Sequence, residues 1–452
     1  MIQTNGKAAV KAGPDIGVEL TPEEALYQLK KMRAVLKKSI SRKTISMMNA
    51  CINCGLCADA CHYYTSTGDS SLIPVAKLQK FVDVYNAFFH PLKSSLPFLR
   101  GDLSQLGRNI DVLYQTAFEN CTICGKCALH CPMGIHTGEM MMLARTMLSS
   151  IGRLPSGLDK PVEQAIKEGN YVGLNAEEFI ETMKWIGDEM KGDIDDPNFN
   201  IPIDKEDADV LFIPHPLEIR DNPFLIMYYV RILNAAGENY TFSSHSFDVV
   251  NYAYYQGNKD NMMKIARRVF DGREKLRAKS IVLSPCGHGY KLLKWESEKY
   301  LGRRHNFPVM TLVELVDKYI STGRIQLEKD KFHGPITYHD PCNIARRGGV
   351  IQAPRNVLKA LSSQFVEMEP HGVMNYCCGG GGGLASTASF GQKRIQMGKT
   401  KAEQIQKTGA RIVATGCFNC LTQIRSLNET CNLGIEPKNF AELVAGSIKV
   451  SV

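Results

Sequence analysis

The chain has 452 residues, more than one ordinary core can organise and enough for two or three. With 44% hydrophobic and 22% charged residues it has the composition of a soluble globular protein, and its longest apolar run, Phe224 to Val230, is too short to cross a bilayer. The net charge of +8 counts every thiol as neutral, so thiolate ligands would make the protein less basic, and nucleic acid is not implied.

Fifteen cysteines set the theme. The number is odd, the chain is large, and residues 1–20 lack the apolar core of a signal peptide, so a secreted disulfide framework is disfavoured. Metal binding in a reducing cytoplasm fits better. Residues 1–44 read as an arm, expected to dock on a partner, followed by a basic helix. Thr21-Pro22-Glu23-Glu24 forms a capping box with proline at the first helical position. Leu26, Leu29, Met32, Leu36 and Ile40 then recur at helical spacing, with Lys30, Lys31, Arg33, Lys37 and Lys38 on the other faces. That basic face is either solvated or set against anionic lipid or an acidic subunit.

Residues 45–187 carry two copies of one motif. Cys51, Cys54, Cys57 and Cys61 (CINCGLCADAC) have the C-x2-C-x2-C-x3-C spacing, and Cys121, Cys124, Cys127 and Cys131 (CTICGKCALHC) repeat it. In paired runs of this kind the fourth cysteine serves the other cluster. Cys51, Cys54, Cys57 and Cys131 are therefore expected around one [4Fe-4S] cubane, and Cys121, Cys124, Cys127 and Cys61 around a second. His62 stands where proline usually follows, which bears on the turn and not on the ligands. The long spacer has apolar residues at helical period, namely Val75, Leu78, Phe81, Val82, Tyr85 and Phe89, then Leu103, Leu106, Ile110, Leu113 and Phe118. The module resembles the helical ferredoxins of heterodisulfide reductase C-type and succinate dehydrogenase iron–sulfur subunits, which implies a two-cluster wire. Met133 and Met140 to Met142 read as core filler.

Acidic residues with Pro197 and Pro202 mark 188–208 as a linker. Beyond it, strand-like segments at 209–213 and 280–283 correspond to segments at 336–339 and 411–414, each alternating with helical stretches. This is a βα pattern with parallel strands, one copy in 209–330 and one in 331–452. Ligands bind beyond the carboxyl ends of such strands. There the second copy has Cys342 (YHDPC), Cys377 and Cys378 (NYCCGGGGG), and Cys417 and Cys420 (GCFNC). The corresponding residues of the first copy are Leu217, Ser243, Ser244, Cys286 and Gly289. One thiol cannot hold a cluster, so the first copy is expected to wall the site of the second, with Cys286 and His288 facing it.

Adjacent cysteines rarely bridge to each other. Two neighbouring thiolates beside a glycine run suit a soft centre larger than one ion, and five thiols exceed the needs of zinc. The glycine run lacks the lysine and hydroxyl of a phosphate loop. Gly379 and Gly380 are instead expected to bring backbone amides to the cysteine sulfurs. His339, Arg346, Arg347 and His371 bracket the cysteines, either favouring an anionic thiolate substrate or merely capping helices. Cys431 lies outside every motif and reads as structural.

The cysteine pattern of 342–420 resembles the CCG domain of heterodisulfide reductases. The order of modules resembles the fused D-type subunits, with closest likeness to K-type subunits of Dsr membrane complexes. The resemblance implies an α/β multidomain protein: a helical ferredoxin domain followed by two βα-repeat CCG half-domains, the first degenerate. It implies one noncubane [4Fe-4S] cluster held by Cys342, Cys377, Cys378, Cys417 and Cys420, the catalytic residues. It implies an oxidoreductase subunit on the cytoplasmic face of the membrane, held by a quinone-reactive cytochrome b type subunit and other subunits of a respiratory complex. The expected substrate is a disulfide or trisulfide, on a small molecule or a small sulfur-carrier protein. Two rival expectations are an electron relay for a flavoprotein dehydrogenase without sulfur chemistry, and a redox sensor or scaffold, which has little need of a wire.

Overall fold

The computed structural model describes residues 21–89 and 103–449, apart from Pro285 and Arg303; the amino-terminal arm at 1–20 lies outside the described residues. The helix Pro22–Ser39 opens on the capping box, with Thr21 Oγ1 accepting from Glu24 N and Glu24 Oε2 accepting from Thr21 N. Leu29, Met32 and Leu36 are buried against the helix Thr137–Ser150, and Lys30, Lys31, Arg33, Lys37 and Lys38 are exposed. Leu26 is exposed as well, so the buried stripe begins one turn later than its spacing suggests.

The spacer between the two motifs is helical. Pro74–Phe89 buries Leu78, Phe81, Val84 and Phe88, which leaves Val82, Tyr85 and Phe89 half-buried at the edge of the expected stripe. Leu103–Tyr114 runs into a π-helical turn at Gln115–Glu119 that buries Thr116, Ala117 and Phe118 immediately before Cys121. Both helices pack on Thr137–Ser150, whose Met140, Met141, Ala144, Met147 and Leu148 are fully buried; Met142 is half-buried, and Met133, also expected in the core, is exposed because it lies on the surface loop after Cys131. A capped helix at Ala176–Ile194 follows, carrying regular structure into the acidic stretch.

The rest of the chain forms two sheets of four parallel strands each. In the first, β1 (Val210–Ile213), β2 (Tyr240–Thr241), β3 (Ser280–Leu283) and β4 (Val309–Thr311) lie in the order β2-β1-β3-β4. In the second, β5 (Ile336–His339), β6 (Phe365–Val366), β7 (Ile412–Thr415) and β8 (Glu436–Asn439) lie in the equivalent order β6-β5-β7-β8. The central strands β1, β3, β5 and β7 are buried throughout, which is why they read as continuous apolar runs. β7 begins at Ile412, one residue later than its sequence pattern suggests.

The two copies are therefore equivalent in topology as well as in sequence order. Ile213 sits opposite Leu283 across β1 and β3, and His339 opposite Thr415 across β5 and β7. Cys286 and Cys417 each cap the helix that follows, with extended φ of −130° and −145°. In this strand order the connections diverge between the first and third strands, so the loops after β5 and β7 part and leave a crevice. The two halves join through the helices Phe224–Ala235 against Phe440–Ser447 and Leu312–Ser321 against Gln352–Leu361.

Candidate metal centres

The two ferredoxin-type motifs fold alike. Asn53 and Ile123 both take left-handed backbone at φ 56° and 57°, and Gly55 and Gly125 follow at 78° and 77°. An isoleucine rarely adopts that conformation, and its recurrence at one motif position means the surroundings impose it. The result is a tight loop that turns successive thiols toward one point. Cys51, Cys54, Cys57 and Cys131 line one cavity, and Cys61, Cys121, Cys124 and Cys127 line a second. The fourth cysteine of each run thus sits with the first three of the other. The first cavity lies at the surface, with Cys54 exposed and Ile52, Leu56 and Met133 exposed around it.

In the second cavity the thiols differ: burial pushes Cys127 up to about 12 and raises Cys121, whereas a hydrogen bond with Cys377 holds Cys124 well below the usual thiol range. Two donors reach its sulfurs: Lys77 Nζ lies 3.4 Å from Cys61 Sγ, and Ile123 N lies 3.4 Å from Cys121 Sγ. Such N–H···S contacts favour metal-bound thiolate.

The third group is built on the crevice of the second sheet. Cys342 lies on the turn after β5, Cys377 and Cys378 follow the short helical turn Gly372–Met374, and Cys417 and Cys420 begin the helix after β7. All five are buried and line one cavity. Cys378 Sγ and Cys420 Sγ are 3.4 Å apart, and all fifteen cysteines are free thiols. Gly379 N and Gly380 N point at Cys377 Sγ and Cys378 Sγ from 3.5 and 3.4 Å. The thiols alternate in character along a hydrogen-bonded chain. Cys377 donates to Cys378 and holds it well below the usual thiol range; contact with Cys124 comes first among the causes that raise Cys377 itself. Cys420 is raised by its contact with Cys378 and lowers Cys417 in turn.

Five soft donors, amides aimed at sulfur and no carboxylate in the lining suit an iron–sulfur group and not a hard cation. His339, at the end of β5, brings a ring nitrogen into the same group, within 4.8 Å of Cys378 and Cys420, and its contact with Cys378 helps to hold that thiol low.

The degenerate copy supplies the opposite wall. Tyr255, Gly287 and His288 line the cavity from that side. Cys286 lies just behind, 3.7 Å from His288 Nδ1. In the first copy the Ser243 hydroxyl instead accepts from His245 N and Ser246 N, and Ser244 donates through its backbone N and its hydroxyl to the Asp204 carboxylate. Leu217 and Gly289 bring no thiol.

The bracketing charges resolve into different roles. Arg346 donates to Cys124 O at 3.0 Å and Val373 O at 2.6 Å, and Arg347 donates to Ile123 O at 2.9 Å. Both fasten the second motif onto the cysteine-rich unit. His371 is half-exposed beside Glu369 and stands apart from the thiols. Sequence patterns missed three further groups. Lys126 stands 3.0 Å over the Tyr376 ring, and burial lowers it to about 7. Lys401 is fully buried on Asn375 Oδ1 at 2.6 Å, and burial lowers it to about 8. Arg145 is fully buried between the motif and the glycine run. Each sits on a helix whose spacing reads as ordinary, so only the fold reveals them. Cys431 ends the helix Phe418–Cys431, outside all three groups.

Comparison with known proteins follows these groupings. Residues 47–135 match a 4Fe-4S dicluster domain, and residues 336–425 match the CCG cysteine-rich domain. The chain is 27% identical over 465 residues to Hdr-like menaquinol oxidoreductase iron-sulfur subunit 2 of Archaeoglobus fulgidus, covering 93% of this chain and 82% of that protein. It is 24% identical over 428 residues to the D-type subunit of the dihydromethanophenazine:CoB–CoM heterodisulfide reductase of Methanosarcina barkeri, covering 93% and 99%. It is 23% identical over 411 residues to the EtfAB:quinone oxidoreductase of Syntrophomonas wolfei, covering 84% and 55%. The two domains mark an iron–sulfur protein, and the relatives are oxidoreductases or their iron–sulfur subunits.

Proposed function

We propose that the chain is the electron-transferring iron–sulfur subunit of a membrane-associated redox complex, ending at a site that reduces or forms a disulfide or trisulfide. In this reading Cys51, Cys54, Cys57 and Cys131 hold one [4Fe-4S] cubane, Cys61, Cys121, Cys124 and Cys127 hold a second, and Cys342, Cys377, Cys378, Cys417 and Cys420 hold a noncubane [4Fe-4S] group. The observation that carries it is the sequence of thiol groups from surface to interior, in which Cys124 of the second meets Cys377 of the third. When bound, the clusters would supply one-electron carriers at the first two sites and a thiophilic centre at the third.

The chain's own residues serve that chemistry by position. Ile52, Leu56 and Met133 make an apolar rim at the exposed site, where a quinone-reactive cytochrome b type partner would exchange electrons. No helix among the described residues is long and apolar enough to cross a membrane, so attachment to its cytoplasmic face would come through such partners. At the inner end Tyr255, His288 and Asn343 face the thiols and would orient the sulfur substrate. Reduction of one disulfide consumes two electrons and two protons and yields two thiols. The disulfide of a small molecule, or a trisulfide on a small sulfur-carrier protein cleaved to a thiol and a persulfide, fits the same two-electron requirement.

The test is EPR of the anaerobically purified, oxidised protein with and without added thiol, beside Cys378→Ala. A signal that appears on oxidation, changes with thiol and vanishes in the variant is expected. Signals from two reduced cubanes alone, indifferent to thiol, would sink the sulfur chemistry. The likeness to an EtfAB:quinone oxidoreductase favours one second reading, a plain relay for a flavoprotein. It would reveal itself by a flavoprotein that copurifies and reduces the clusters without any thiol effect.

A further inference from the structure

Arg145 is a charged group with no exposed surface. It projects from the helix Thr137–Ser150 and spends its donors on four carbonyls in three regions. Nε donates to Ala117 O at 2.9 Å and Nη2 to Cys121 O at 3.0 Å, both in the ferredoxin-like unit. Nη1 donates to Tyr255 O of the degenerate copy at 3.0 Å and to Gly382 O of the glycine run at 2.7 Å. The guanidinium also stands 4.7 Å from the Phe118 ring centroid.

Four carbonyls take four of the guanidinium's five N–H donors but leave its charge uncompensated. An isolated buried cation is costly, and such groups are normally paired. No carboxylate bridges Arg145 among the described residues. The ionisable side chains around it are thiols and tyrosines, Cys121 first among them, and none is a carboxylate that would pair the charge. Cys121 lines the second cavity, and the glycine run that Arg145 holds presents its amides to Cys377 and Cys378 of the third. Thiolate-ligated iron–sulfur groups at those two sites would be anionic, and the cation lies between them.

We propose that Arg145 is a positioning residue and the buried counter-cation of the second and third cysteine groups, fixing their mutual distance and favouring the more negative, reduced state of the nearer cluster. The inference rests on the cluster-binding reading above and is independent of the disulfide chemistry. A positive charge close to a redox group raises its potential by stabilising the added electron. Lysine can keep that charge but cannot bridge four carbonyls in one plane.

The experiment is an EPR-monitored redox titration of the full-length holoprotein as wild type, Arg145→Lys and Arg145→Met. Iron and sulfide analysis of the wild type comes first: absence of clusters there would defeat the cluster-binding reading itself. With clusters present, Arg145→Met should make the second cubane about tenfold harder to reduce, a drop of about 59 mV for a one-electron couple, with the surface cubane unmoved. Arg145→Lys should restore most of that shift. An unchanged potential in Arg145→Met, or an equal shift at both cubanes, would overturn the proposal. Should Arg145→Met fail to retain clusters, Arg145→Lys and Arg145→Gln decide by the same titration, since the first keeps the charge and the second keeps hydrogen-bond donors without it. A second cubane that holds its potential in Arg145→Lys and becomes about tenfold harder to reduce in Arg145→Gln is expected. Equal potentials in those two variants would show a merely structural arginine and overturn the proposal.

Discussion

At the scale of single residues, Asp340 shows how buried charge shapes the third cysteine group. Its carboxylate takes Arg355 Nη1 and Nη2 at 2.9 and 2.8 Å, and the pair is almost wholly buried at 1% and 5% side-chain exposure. The same carboxylate accepts Gly372 N at 2.7 Å, and the Asp340 carbonyl takes the side chain of Asn375. One residue therefore joins the turn that carries Cys342 to the loop that carries Cys377 and Cys378. Replacing Arg355 alone leaves a buried carboxylate without its partner, at a cost of about 3 to 5 kcal/mol. Arg355→Met should lose that much in denaturant unfolding. The double variant Arg355→Met with Asp340→Asn should recover part of it, because only Glu367, the less buried second carboxylate on Arg355, is then left without that partner. Equal losses for single and double variants would show that the pair does little beyond packing.

At the scale of elements, the glycine run and the second motif loop meet with almost no space between them. Gly382 has φ 70°, and a Cβ there would lie 2.8 Å from Thr122 Cα. That contact is backbone on backbone, so neither side can yield without moving a loop that carries cysteines. Gly382→Ala should cost about 1 to 3 kcal/mol from backbone strain alone and loosen the seam that Arg145, Arg346 and Arg347 hold. Gly391→Ala is the matched control, since a Cβ there meets nothing within 4 Å and begins a helix. It should be neutral or mildly stabilising. Comparable losses for both in thermal melts would refute the role given to the close approach.

At the scale of the whole molecule, the ferredoxin-like unit and the cysteine-rich unit are docked by more than the covalent linker. Tyr376 Oη donates to Asp59 O at 2.7 Å, and Thr65 and Ser66 bond Thr400 at 2.8 and 2.9 Å. The arginine contacts to Ile123 O, Cys124 O and Gly382 O lie on the same seam. The segment 195–198 is exposed and carries no regular structure. A protease site placed there and cleaved should leave the two fragments together on gel filtration under native conditions. Separation of the fragments would mean that the seam cannot hold the second and third thiol groups in contact unaided.

Legible in the residues alone were the three cysteine groups, the crossing of Cys61 and Cys131 between motifs, the helical spacer and the repeated parallel strands. These follow from local rules: thiol spacing, helical period and apolar runs bounded by turns act over a few residues and leave their mark there. The helix Pro22–Ser39 and its capping box were readable for the same reason, whereas the exposure of Leu26 depends on where a distant helix ends its cover. It took the folded chain to establish that Arg346 and Arg347 grip the ferredoxin-like unit, that Cys124 meets Cys377, and that Arg145, Lys126 and Lys401 are buried. Those facts arise where segments far apart in the chain come together, and the energy of a buried charge is set by all of its neighbours at once. A lysine or arginine on a helix carries no local sign of the surroundings the fold will give it.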